Sequence, residues 1–86
     1  MRVRLESGEE GEAATLENNV LTILVPRAFA PGSPIRFVLS FDADERAFEG
    51  RTLGSKRVSE SDFEVRLRFV NLRKVERELL VARLGC

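Results

Sequence analysis

Two hydrophobic periods divide the chain. Phe63, Val65, Leu67 and Phe69 alternate with Glu64, Arg66 and Arg68, the period-two signature of a strand with one dry face and one wet face. From Leu72 the apolar positions recur as Val75, Leu79 and Ala82, three or four apart, which predicts a closing amphipathic helix over about 72–84. Upstream, Arg2 to Leu5 alternate into an acidic turn at Gly8, Glu9, Glu10 and Gly11. A long second strand is predicted from Ala13 to Val25, where Pro26 stops it; its end, Val20 to Val25, is apolar on both faces except at Thr22. Ala28 to Pro34, with Pro31 and Gly32 inside, is the one pronounced loop. Ile35, Phe37, Leu39 and Phe41 form a third strand with Arg36 and Ser40 on its wet side, and Asp42 to Glu45 make a polar turn. A fourth strand runs from Arg46 to about Val58, with Gly50 and Gly54 marking bends or bulges, and Ser59 to Asp62 turn the chain into the strand that opens at Phe63.

Short strands at this spacing predict a mainly β fold: a small antiparallel β-barrel of five to six strands in meander order, residues 1–86 forming a single domain, with a C-terminal α-helix over one opening or one face. Closure would remove the exposed edges that invite aggregation. No internal repeat or low-complexity segment interrupts this order.

Length sharpens the picture. A chain of 86 residues buries only about 60–65% of its extended surface, so nearly every strong apolar residue is needed for the core and few remain to line a deep cavity. Lysine plus arginine equals aspartate plus glutamate at 14 each, which provides no overall field toward nucleic acid or an anionic membrane. The balance is uneven, with four basic and six acidic residues in 1–43 against ten and eight in 44–86. Cys86 is the single cysteine, so no intrachain disulfide forms and a reducing, cytoplasmic setting is expected. MRVRL leads straight into a strand pattern without the apolar segment of a signal peptide, and no run approaches the roughly 18 apolar residues of a membrane span.

Candidate chemistry is sparse. Without histidine the chain lacks the commonest general base and metal ligand, so histidine triads and a zinc site of the usual kind are excluded. Asp42, Asp44 and Glu45 lack the rest of a calcium loop and read as a hairpin turn. Neither glycine-rich phosphate fingerprint occurs, and Ser59 and Ser61 sit beside acids in a turn, where they bond local backbone. The expectation is no enzyme, no catalytic residue, no cofactor and no metal. All six aromatic residues are phenylalanines, mostly on dry strand faces, which argues against base stacking and nucleic-acid binding. Lys56, Arg57, Arg66 and Arg68 read as a solvated sheet face, with a small RNA-binding barrel as the alternative.

The letters of these elements resemble the PilZ family. Val65 to Leu84, VRLRFVNLRKVERELLVARL, is similar to that family's ending: a strand closing in Phe, then Asp or Asn followed by Leu, then a helix with acids near its start. Leu21 to Leu39, LTILVPRAFAPGSPIRFVL, resembles its second and third strands joined by a Pro-Gly loop. Together these segments extend the resemblance over nearly the whole chain. It implies a split-barrel type of antiparallel β-barrel with a C-terminal helix, in bacterial proteins that answer cyclic di-GMP or act in type IV pilus and motility systems.

Family members that bind the nucleotide carry an RxxxR before the first strand and a [DN]xSxxG on the second. Here Arg2 and Arg4 have the wrong spacing for the first mark, and counting back from Pro26 sets Thr15, Glu17 and Val20 where the second has its acid or amide, serine and glycine. Glu17 opposes a phosphate electrostatically, and Val20 blocks the close approach that glycine permits. The resemblance therefore implies an atypical member that does not bind cyclic di-GMP and works as a protein-interaction or regulatory module. The alternative is a receptor using other residues, such as Arg36, Arg66 and Arg68.

For such a module the helix is the candidate surface. Leu72, Val75, Leu79 and Ala82 account for one buried face, while Leu80, Val81 and Leu84 project elsewhere beside Arg73 and Arg77. The expected partner-binding set is Arg73, Arg77, Leu80, Val81 and Leu84, contacting a protein partner or a second copy in a homodimer, with no membrane insertion. An acid at Leu80 or Leu84 is expected to weaken association and leave the fold intact.

Overall fold

Alternation in Arg2–Leu5 builds β1 with Val3 and Leu5 buried and Arg2 and Arg4 exposed. The computed structural model describes residues 1–41 and 43–84, so Asp42 of the expected polar turn and Cys86 lie outside the described residues. Gly8, at φ 101°, carries the chain into β2 (Glu10–Glu17), and β3 (Val20–Val25) follows at once. The single long strand expected over Ala13 to Val25 is thus two strands. Asn18 and Asn19 between them hold φ at 50° and 66°, the left-handed pair that a two-residue hairpin needs and that asparagine tolerates better than most side chains.

β4 (Pro34–Phe41) and β5 (Asp44–Arg57) form the next hairpin, and β6 (Phe63–Phe69) leads to α1 (Lys74–Leu84). The expected bend in β5 is present: register with β6 shifts between Thr52 and Gly54, where Gly54 has φ 146°. The helix starts two residues later than its apolar pattern suggests. Asn71, at φ 59°, breaks the extended chain, and Arg73 stands as the N-cap, its amide donating to Glu76 Oε1 at 3.4 Å and its carbonyl accepting from the Arg77 amide at 2.9 Å.

The six strands close into a barrel in the order β1-β2-β3-β6-β5-β4, every neighbouring pair antiparallel. This is two three-stranded meanders and not the continuous meander expected. Two seams join them, one between β1 and β4 with Val3 opposite Leu39, the other between β3 and β6 with Val20 opposite Arg68. Residues 26–33 make the difference, because they carry the chain across one barrel end from β3 to the strand on the opposite side of the ring. The crossing is fastened to β5. Thr52, only 1% exposed, donates from Oγ1 to Ala30 O at 2.7 Å and accepts from the Ser33 amide at 3.2 Å. Ser55 Oγ accepts from the Phe29 amide at 3.1 Å and donates to Phe29 O at 3.0 Å.

Inward side chains from all six strands fill the interior, among them Val3, Leu16, Leu21, Ile23, Leu39, Val65 and Leu67. Phe37 and Phe48 stack with ring centroids 6.0 Å apart, and Phe69 meets Phe48 edge-on at 5.5 Å. Gly50 faces inward where β5 and β6 pack closely; a Cβ there would stand 2.5 Å from Arg68 O.

At the other barrel end the helix contributes one fully buried side chain, Leu80, with Leu72, Leu79 and Leu84 packed partly against the core. This corrects the expected phase. Val75 is 65% exposed and Ala82 is exposed, whereas Leu80 and Leu84, expected to face a partner, turn toward the barrel. The physical reason is that Leu72 lies in the turn ahead of the helix and does not share its phase. Within Lys74–Leu84 the bulkiest apolar stripe is Leu80 and Leu84 flanked by Leu79, and that stripe docks.

Candidate interaction surface

The positions matched to the nucleotide motif do come together. Thr15 pairs with Thr22 and Glu17 with Val20, so Thr15, Glu17 and Val20 share the outward face of the β2–β3 hairpin, beside its asparagine turn. Thr15 and Glu17 are exposed and Val20 is half-buried. The patch thus carries an acidic residue and a branched side chain at the positions matched to the motif's serine and glycine. Arg36 is not part of a common site with Arg66 and Arg68: it lies on β4, one strand beyond β5, and pairs with Glu49 at 3.6 Å.

Of the five helix residues expected to meet a partner, three remain outside. Arg77 and Val81, the latter 46% exposed, share a shallow hollow of about 350 Å³ with Lys74, Glu78 and Ala82. Val75 adds a further exposed aliphatic group on the helix. Arg73 instead borders a groove of about 690 Å³ over the outer faces of β1, β4 and β5, where Arg4, Arg36 and Arg73 stand with Glu6, Glu49 and Glu76. Ion pairs neutralise this groove. Arg4 lies 3.5 Å from Glu45, Arg36 is held by Glu49, and Arg46 reaches Glu76 at 3.9 Å, tying the helix to β5. With acids and bases matched in this way, it has no net pull on an anion. Sequence reasoning missed the groove because its walls come from β1, β4, β5 and the turn before the helix, segments that no local pattern links.

A second feature absent from the sequence reading is how the cations divide. Arg2, Arg4, Arg27, Arg36 and Arg46 each lie within 4.0 Å of a carboxylate. Among the described residues, no ion pair forms at Arg51, Lys56, Arg57, Arg66, Arg68, Arg73, Lys74 or Arg77, all on β5, β6 or the helix with its cap. Arg51 and Arg68 are directly opposite across the β5–β6 ladder, and both are exposed. Arg68 and Arg77 border one hollow of about 350 Å³ with Phe69 and Leu72, which connects this strip to the helix.

Among the described residues no helix is long and apolar enough to cross a membrane, and no group of three acidic, histidine or cysteine side chains is placed to hold a metal ion. No protein-family model, curated protein or solved structure matches the chain.

Proposed function

We propose that this barrel is a PilZ-like module that works without cyclic di-GMP and engages a protein partner, as a regulatory element of bacterial signalling, motility or type IV pilus systems. The observation that carries the reading is the outer helix surface, where Val81, 46% exposed, shares a hollow with Arg77, Lys74 and Glu78 and Val75, 65% exposed, stands on a further part of the helix, while Leu80 and Leu84 are already used in docking it. Exposed aliphatic groups rimmed by charges are the make-up of a contact patch. Glu17 and Val20 on the hairpin support the nucleotide half of the reading, since an acid and a branched side chain stand at the positions matched to the motif's serine and glycine.

Two measurements test it. Titration calorimetry with cyclic di-GMP is expected to give no binding heat; micromolar binding refutes the nucleotide half, and its dependence on Thr15, Glu17 and Val20 or on Arg36, Arg66 and Arg68 tells which residues hold the ligand. A photo-crosslinking amino acid at Val81, introduced in the source cells, is expected to trap a discrete protein species that the same group at Glu60, in the distal β5–β6 turn, does not. Equal trapping at both positions, or at neither, refutes the partner half.

A further inference from the structure

We propose that the outer face of β5 and β6 docks an acidic, aliphatic segment of the partner protein, with Arg51, Arg66 and Arg68 receiving its carboxylates. The inference rests on the reading of the chain as a protein-contacting module and specifies what the partner brings.

Charge placement is the first support. Facing outward, Arg66 has Gly54 and Thr22 as its cross-strand neighbours, and Arg68 has Arg51 and Val20. Among the described residues neither forms an ion pair; Glu64, two residues from Arg66 along β6, stands opposite Lys56 across the ladder, and Glu49 on β5 is occupied by Arg36 at 3.6 Å. Like charges directly opposite on a ladder have Cβ atoms about 4.5–5.5 Å apart and destabilise the sheet. Arg51 offsets part of this by donating from Nη1 to Gly32 O at 3.1 Å, but among the described residues no carboxylate pairs with it. A guanidinium presents a planar fork that suits a carboxylate, so an acidic segment converts this unfavourable arrangement into charge-assisted hydrogen bonds.

The surroundings select the class of partner. Leu53 is 41% exposed on the same face, and Val20 and Leu24 of the neighbouring β3 are half-buried, so aliphatic contacts flank the arginines. Small hollows sit at both ends of the strip, one of about 230 Å³ bordered by Leu53, Lys56, Arg66 and the single acid Glu64, the other reaching Arg77 on the helix. Phe37, Phe41 and Phe48 are buried, while Phe29, Phe63 and Phe69 pack against the core. Little aromatic surface is thus left to stack bases, half-buried Phe69 in the hollow with Arg68 and Arg77 being the ring nearest the strip, which favours a protein segment over single-stranded nucleic acid. Because the barrel is closed, the segment cannot add as a further strand and must be held through side chains.

The test is fluorescence anisotropy at low salt with two labelled probes: a peptide in which glutamates alternate with leucines, and an oligouridine of equal net charge. The peptide is expected to bind the unaltered protein more tightly than the oligouridine, and Arg66→Glu with Arg68→Glu to weaken it by about tenfold or more, on the order of one lost charge-assisted contact. Arg2→Glu, on β1, is expected to leave it unchanged, and circular dichroism checks that both variants are folded. Tighter binding of the oligouridine, binding of neither probe, or peptide binding indifferent to the double change overturns the proposal. A specific crosslink at position 81 together with an inert strip sinks this inference alone, whereas loss of both sinks the shared reading.

Discussion

Leu80→Ala probes how the helix is attached. Leu80 is fully buried and is the helix's one side chain wholly inside the core. Removing most of it costs the transfer of the lost methyl and methylene groups plus the cavity left behind, about 3 kcal/mol, and alanine does not weaken the helix itself. A domain of 86 residues has a total stability of roughly 5–10 kcal/mol, so this is a large share. The midpoint of thermal unfolding should fall by about 15 °C, read by circular dichroism, with urea titration giving the free-energy loss directly. Val75→Ala, at a site 65% exposed, is the control and should change stability by no more than about 0.5 kcal/mol. Leu80→Asp, which the sequence pattern would allow as a surface change, should instead prevent stable folding by burying an unpaired carboxylate. A loss below about 1 kcal/mol for Leu80→Ala, or equal losses at positions 75 and 80, would falsify the helix phase described above.

The remaining predictions concern the barrel wall and the crossing. Gly50→Ala places a methyl group against Arg68 O at 2.5 Å and Leu67 Cδ1 at 2.9 Å, and should cost about 1–3 kcal/mol in chemical denaturation; an unchanged midpoint would mean that the β5–β6 packing is looser than described. Thr52→Val keeps the shape but removes one hydroxyl from a shared set, since Ala30 O still accepts from Ser33 Oγ at 2.7 Å and from the Ser33 amide at 3.2 Å, which should lower stability by about 0.5–1.5 kcal/mol. Hydrogen exchange should then speed up at Ser33 more than at Leu67 in the ladder, and uniform exchange across both sites would refute the fastening role.

Strand alternation made most of the barrel legible. Val3 and Leu5, the alternate residues Ile35, Phe37, Leu39 and Phe41, and Val65 with Leu67 all face inward as their period demands. The asparagine hairpin was hidden because Val20 to Val25 is apolar on both faces and the polar break before it contains no glycine. The helix phase was misjudged for a different reason: Leu72 continued the apolar spacing from outside the helix, and an eleven-residue helix leaves too few repeats to correct it. Of the expected contact residues, Arg73, Arg77 and Val81 lie on the outside, but Leu80 and Leu84 belong to docking. Strand alternation could mark Arg66 and Arg68 as outward; their proximity to Arg51 required the β5–β6 register, a long-range property with no local trace.

The path taken by residues 26–33 also sets how the molecule must assemble. Each meander can form from neighbouring segments, yet a ribbon of that size has too little dry surface to persist alone. Both seams unite stretches far apart in sequence, Val3 with Leu39 and Val20 with Arg68, so chain entropy is lost before either contact repays it. Folding should therefore be slow for a chain this small and strongly cooperative. A nick within the crossing would release two halves, each with two raw borders matched only by those of the other.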